Sequence, residues 1–331
     1  MTVQASQPVV SVIIPSIRLN SAHFNECLNS IIRQSFQEWE VIVVDDSENK
    51  KKTIPLHFGP RVRVFPNERK KGPSGARNYG LSLAKGEFII FFDDDDEMSP
   101  DMLRELVQQA SRYNNKTAVV CPYQNFETID ELRVYDSPIH LEKTWKLEEA
   151  VHGILGLRGI PFTLCNCLFR KSELPKNPWD EGLYGSGDKD FFLSLFVLDW
   201  EFIGIGSGRF FYRKHDSFRV SSQSHVDLHR ATSNARMIVK WVDYLGSDER
   251  WTDALITALL NIQENVVSYQ IKFPLEDIQS RISFLEPKAT IRPIFRLRKG
   301  RLVRALLIEI IGLVGTLKLI SRLKSIRQLL K

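Results

Sequence analysis

Nearly unbroken apolar runs recur along the first third of the chain. Residues 9–14 end at Pro15-Ser16, residues 41–44 end at Asp45-Asp46-Ser47, and residues 88–92 end in Asp93-Asp94-Asp95-Asp96. A strand that is apolar on successive positions is one buried on both faces, as in a parallel sheet. Residues 61–65 alternate like a short strand, and 118–121 read as another. Between them, Phe24, Cys27, Leu28, Ile31 and Ile32 recur at helical spacing. Gly72-Pro73-Ser74-Gly75 forms a turn that opens a helix to Ala84, and Ser99-Pro100 caps one running to about Arg112. Strands alternating with helices over short connections predict a parallel, right-handed α/β half. From 122 to about 224 the pattern is irregular, and over 226–273 it is helical with a break near Gly246.

A chain of 331 residues can bury a large core and carry an appendage. Its 43% hydrophobic and 26% charged content are those of a folded soluble protein. The four cysteines are scattered; Cys165 and Cys167 form C-x-C, with no second pair to complete a zinc spacing. Reduced structural thiols are expected, which suits a cytoplasmic setting. The first eight residues carry no basic segment leading into an apolar core, so no secretory leader is expected. No run approaches the roughly 18 to 20 apolar residues of a spanning helix. The net charge of +5 is unevenly spread: from residue 287 onward twelve basic residues face one acid, a net +11 that leaves −6 for residues 1–286.

The acidic run after the third apolar strand carries the strongest chemical signal. Two unit charges about 4 Å apart repel by about 1 kcal/mol in water and several-fold more in a shielded cleft. Four adjacent carboxylates are therefore either a solvated turn or a site for a hard cation. In open α/β sheets ligands bind at the carboxyl ends of the strands, where this cluster falls. On the same predicted edge, Asp45-Asp46 end another strand, and the glycine turn leads into Arg77, a pairing suited to anionic groups. A further acidic motif, Gly187-Asp188-Lys189-Asp190, precedes the apolar run 191–198.

Taken in order, these pieces resemble the family 2 glycosyltransferases. The matching segments are Val10-Ser11-Val12-Ile13-Ile14-Pro15-Ser16, Val43-Val44-Asp45-Asp46-Ser47 and Gly75-Ala76-Arg77-Asn78-Tyr79-Gly80. They continue with Gly86-Glu87-Phe88 through Asp96 and Ser99-Pro100-Asp101, then Trp179-Asp180-Glu181 leading to Gly187-Asp188. The resemblance covers about residues 9–220 and implies the GT-A fold, a mostly parallel central sheet flanked by helices. It implies a catalytic domain over 1–224, divided into a nucleotide-binding half at 9–121 and an acceptor-binding half at 122–224. A helical extension at 225–290 and a basic tail at 291–331 follow. The activity it implies is transfer of a sugar from a nucleoside diphosphate sugar to an acceptor hydroxyl, with inversion and with Mn²⁺ or Mg²⁺ as cofactor.

Carried over residue by residue, the resemblance places Pro15, Ser16 and Asp46 at the nucleotide base and Arg77 near the base and phosphates. It puts Asp93 and Asp94 at the ribose and sugar and Asp95 on the metal, with Asp93 second as the metal ligand. Asp188 matches the base that deprotonates the acceptor. Many relatives place glutamate before that base where this chain has Gly187, which leaves Asp190 as an alternative. Tyr212-Arg213-Lys214-His215 resembles a late stretch whose histidine, His215, approaches the metal or diphosphate. The expected donor is a nucleotide sugar, a UDP-sugar first among them, and the expected acceptor a saccharide or lipid-linked saccharide. Two other readings stand beside this one: a sugar nucleotidyltransferase, and a non-catalytic sugar-nucleotide-binding protein tethered to a membrane.

The tail carries a second pattern. Leu302, Leu306, Ile310, Leu313, Leu317 and Ile320 share one helical face, with Arg304, Lys318 and Arg322 toward the other. An amphipathic helix with basic flanks suits an anionic membrane surface, or packing on protein. The expected location is the cytoplasm, peripheral on the inner face of a membrane. Aromatic residues interleaved with basic ones, as in a nucleic-acid site, are not seen, so no nucleic-acid partner is expected. Trp145, Trp179 and Tyr184 are read as packing or as an acceptor wall.

Overall fold

The computed structural model describes residues 7–48, 58–113, 116–155, 159–214, 228–269 and 275–285. The chain divides into two compact units, one formed by Met1–Ala150 with Ile160–Ser222 and the other by Val151–Gly159 with Gln223–Lys331. The amphipathic tail at 291–331 and His215 lie outside the described residues.

The first unit opens with β1 (Val10–Ser16), α1 (Ala22–Ile32), β2 (Trp39–Asp45), β3 (Val62–Pro66), α2 (Pro73–Leu83) and β4 (Phe88–Phe91). After these come β5 (Glu97–Met98), α3 (Met102–Ala110), β6 (Thr117–Val120), β7 (Tyr123–Ile129), β8 (Leu132–Tyr135) and β9 (Thr144–Trp145). Next along the chain are α4 (Leu147–Ile154), β10 (Cys167–Arg170), α5 (Gly187–Val197), β11 (Glu201–Gly204) and β12 (Phe210–Arg213). Among the described residues the main sheet has the order β3-β2-β1-β4-β10-β6-β11-β9. Its first four strands are parallel, as the continuous apolar runs predict. The smaller sheet has the order β5-β12-β7-β8.

Both faces of the main sheet are covered, which is why its central strands carry no polar alternation. On one face Val10, Val12, Val41, Val43 and Ile90 pack with Phe24, Leu28 and Ile31 of α1 and with Met102, Leu103 and Leu106 of α3. On the other, α2 comes so close that a Cβ on Gly80 would lie 2.4 Å from Ile13 Cγ2. Phe91 of β4 meets Trp179 and Phe191 edge-on at centroid distances of 5.4 and 5.7 Å. These two indole and phenyl rings stack on each other at 4.3 Å.

The irregular stretch 122–180 holds structure that local periodicity does not announce. It contains the β7–β8 hairpin, the two-residue β9, α4, and β10, which is inserted antiparallel between β4 and β6. The second unit contributes α6 (Leu228–Leu245), α7 (Thr252–Tyr269) and α8 (Leu275–Leu285), in line with the helical pattern over 226–273. No helix among the described residues is long and apolar enough to cross a membrane.

One buried carboxylate ties the sheet to the strand-entry loops. Glu40 accepts from Ser11 Oγ at 2.7 Å, from the Lys85 amide at 2.6 Å and from Arg63 Nη2 at 2.6 Å. Burial pushes this carboxyl up, but the bonds from Ser11, Lys85 and Arg63 outweigh it and hold its pKa below the ordinary value. A depressed carboxylate contributes stability above its unfolded pKa and loses it as pH falls through the folded one. Glu40→Gln is expected to remove about 2 kcal/mol at pH 7, the usual size for hydrogen bonds to a charged group. Thermal unfolding should show the gap between variant and wild type closing as pH falls below the ordinary carboxylate range. A gap independent of pH would refute the assignment.

Candidate active site

The carboxyl ends of β1, β2 and β4 lie along one edge of the parallel part of the sheet, and the turn residues that follow these strands meet there. After β1, Ser16 Oγ donates to Asp94 Oδ2 at 2.6 Å, while the Arg18 amide donates to Ser16 Oγ at 3.0 Å. Arg18 Nη2 donates to Asp94 Oδ1 at 2.7 Å and to Asp95 Oδ2 at 3.2 Å. Burial pushes the Asp94 carboxyl up, against the opposing pull of Arg18 and Ser16. Burial lowers the Arg18 pKa, but its bonds to Asp94 and Asp95 more than offset this and leave it raised.

After β2, Asp46 accepts from Asn67 Nδ2 at 2.6 Å through one oxygen and from the Gly72 amide at 2.8 Å through the other. Asp46 therefore fixes the turn that leads into α2. That turn leaves no room for a larger residue at Gly75, whose added Cβ would lie 2.0 Å from the Lys70 carbonyl oxygen. Gly72 has φ +126°, a backbone conformation that L side chains rarely adopt.

Arg77, in the second turn of α2, is buried. Its Nη2 donates to Asp93 Oδ1 at 2.9 Å and its Nη1 to Asp188 Oδ1 at 3.1 Å. The guanidinium lies 4.7 Å from the centre of the Trp179 ring. Burial lowers its pKa, but Asp188 and Asp93 raise it more. The neighbouring Asn78 donates to the Trp179 carbonyl at 2.9 Å and to Glu181 Oε1 at 2.9 Å, and accepts from the Trp179 amide at 3.2 Å. The segment that carries Asp188 is thus bonded directly to α2.

Asp188 is the second residue of α5, and its side chain is 57% exposed. Asp190, two positions on, is 1% exposed. At Gly187 an added Cβ would lie 2.7 Å from Ser74 Oγ, so any side chain there needs Ser74 to rotate away. On the acidic loop, Asp93 and Asp96 carboxylate oxygens and the Cys165 sulfur fall within 4.8 Å of one another. Burial raises the Cys165 thiol well above its ordinary value, so the hard-cation donors of this group are its two carboxylates. Carboxylate oxygen is the donor chemistry that Mg²⁺ and Mn²⁺ take, and the residues fit such an ion.

The loop is held from behind by Arg213 of β12, 3% exposed. Its amide donates to Asp96 Oδ1 at 2.8 Å, its Nε to the Asp95 carbonyl at 2.8 Å and its Nη2 to Glu97 Oε1 at 2.5 Å. Sequence reasoning misses Arg18 and Arg213, and it favours Asp95 for the metal where the described residues group Asp93, Asp96 and Cys165. Arg213 stands inside the Tyr212-Arg213-Lys214-His215 stretch, two residues before the histidine that the resemblance singles out. Trp145 and Trp179 are buried and serve packing.

Residues 11–172 match a family described as Glycosyl transferase family 2. That stretch, just under half of the chain, resembles this family. The family 2 match takes in Ser16, Asp46, Arg77 and the acidic loop, and ends upstream of Asp188. A similar curated protein is the glycosyltransferase GlyG of Streptococcus pneumoniae, 33% identical over 37% of this chain and 41% of its own length. Another is the GalNAc(5)-diNAcBac-PP-undecaprenol beta-1,3-glucosyltransferase of Campylobacter jejuni, 32% identical over 54% of this chain and 57% of its own. The chain spans about half the length of these curated relatives. Among solved structures, S. aureus TarS 1–349 in complex with UDP-GlcNAc superimposes with a TM-score of 0.61 at 17% identity. That likeness covers 96% of this chain and 91% of the TarS chain, and the fold it shares is the GT-A fold.

Proposed function

We propose that this chain transfers a sugar from a UDP-sugar to a hydroxyl of a lipid-linked saccharide, by single displacement with inversion. The observation that carries the proposal is the Asp93–Arg77–Asp188 bridge, which ties an acidic loop suited to a diphosphate and its cation to an exposed carboxylate. The undecaprenol-linked acceptor of the Campylobacter relative and the UDP-GlcNAc bound by TarS support the choice of substrates.

In this reading Asp46 shapes the nucleobase end of the site by fixing the 67–72 turn. Each of its oxygens has two lone pairs, so accepting from Asn67 and Gly72 leaves capacity for a base N–H. Asp93 and Asp94 flank the ribose and sugar. Asp188 takes the acceptor proton as the hydroxyl attacks the anomeric carbon, a task worth about 10²–10⁴ in rate. The C–O bond to the diphosphate breaks opposite the forming bond, and the electron pair leaves with the nucleoside diphosphate. A divalent cation, Mn²⁺ or Mg²⁺, held by carboxylates of the acidic loop would neutralise charge on that leaving group. The basic tail at 291–331 would bring the enzyme to the anionic surface where a lipid-linked acceptor resides.

Thermal unfolding of the full chain against UDP-, GDP-, dTDP- and CMP-sugars, each with Mn²⁺, Mg²⁺ or EDTA, tests the donor side. A ligand at about 100 times its Kd stabilises the native state by about 2.7 kcal/mol, a rise of several degrees. The rise is expected with UDP-sugars and lost in EDTA. A folded protein that shifts with none of the four would refute the proposal.

A further inference from the structure

We propose that Arg18 is an internal counter-ion of the acidic loop, which the donor diphosphate draws away so that metal and donor bind cooperatively. The proposal rests on the resemblance's reading of Asp95 as a metal ligand, adjacent in the loop to Asp96, which the structure groups with Asp93. Arg18 belongs to the Pro15-Ser16-Ile17-Arg18 turn between β1 and α1, far in sequence from the carboxylates it meets. Its guanidinium spans Asp94 Oδ1 and Asp95 Oδ2 at 2.7 and 3.2 Å, and Ser16 occupies the other Asp94 oxygen at 2.6 Å. Two adjacent negative charges, each side chain 9% exposed, are thereby partly neutralised by a cation that the chain itself supplies.

A divalent ion approaching Asp95 meets the guanidinium that already holds Oδ2, against like-charge repulsion. A diphosphate changes the balance, because it offers an arginine the paired oxygens that its planar fork fits. Arg18 is able to leave: its side chain is 30% exposed, three times as much as either carboxylate. The loop would keep its shape without it, since Arg213 holds the Asp95 carbonyl, Asp96 and Glu97 from the buried side. Donor binding then raises metal affinity, and metal binding raises donor affinity by the same factor.

Mn²⁺ binding to the full chain, read from the EPR signal of the free ion with and without UDP, tests this. Coupling of ordinary size corresponds to about 5–150-fold. Without UDP, Arg18→Ala is expected to bind Mn²⁺ about tenfold more tightly than wild type, and the enhancement by UDP to shrink by the same factor. Arg18→Gln, which keeps a donor for Asp94, is read in the same way if the alanine variant does not fold. Unchanged or weaker Mn²⁺ binding by the folded variant, with wild type binding Mn²⁺ in the presence of UDP, overturns the role of Arg18 alone. If wild type binds no Mn²⁺ even with UDP, the metal reading itself fails and takes this one with it.

Discussion

Asp188→Asn is expected to bind donor as wild type does and to lose about 10²–10⁴-fold in turnover, the usual contribution of a positioned general base. Asparagine keeps the shape of the side chain and an oxygen for Arg77 Nη1, now 3.1 Å away, so the bridge to α2 survives. What it removes is the capacity to accept a proton. Burial favours Asp188 of the two acids of the motif: its side chain is 57% exposed, whereas Asp190 is 1% exposed. The glutamate that many relatives place just before the base has no counterpart here, and Gly187 is packed against Ser74 and Trp179. Initial rates at saturating donor, together with the donor-induced shift in Tm, check both halves of the expectation. An active Asp188→Asn enzyme would remove Asp188 as the base.

The parts of the site that were legible in the sequence are those where local pattern and chemistry coincide. β1, β2 and β4 are buried on both faces, so their apolar runs are unbroken and their ends are marked by polar residues. Parallel strands put those ends on one edge, which is why Ser16, Asp46 and the acidic loop converge. The glycine turn is legible for a steric reason, since Gly75 faces a backbone carbonyl. What could not be read is pairing between distant segments. β10 has four residues and enters the sheet antiparallel between β4 and β6, an order that no local period encodes. Arg18 pairs with carboxylates 76 and 77 residues away, and Arg213 with one 116 residues away. In each case the residue type was in view, but its partner depended on how the sheet closed.

Arg77→Met is expected to separate stability from activity. Arg77 keeps a full charge buried on α2, and its Nε has no hydrogen-bond partner among the described residues, a cost of about 1–3 kcal/mol for an unmade bond. Its partners are less committed: the Asp93 and Asp188 side chains are 44% and 57% exposed and can be solvated when the guanidinium is gone. Replacing a buried ion by an apolar side chain of similar volume is often neutral, or stabilising by about 1–4 kcal/mol. Methionine would also keep contact with the Trp179 ring. Tm is therefore expected to hold or rise. Turnover should nevertheless fall by about 10²-fold, because the direct bridge from Asp188 to the acidic loop is then lost, and a misplacement of about 1 Å costs that much. Arg77→Lys should fall in between, since an ammonium keeps the charge but lacks the planar fork that holds two carboxylates at once. The distinguishing readout is the pH–rate profile: loss of the bridging cation should move the acid limb, whereas a purely structural role would lower the whole curve unchanged in shape. A variant that unfolds at lower temperature in proportion to its lost activity would show that Arg77 serves the fold instead.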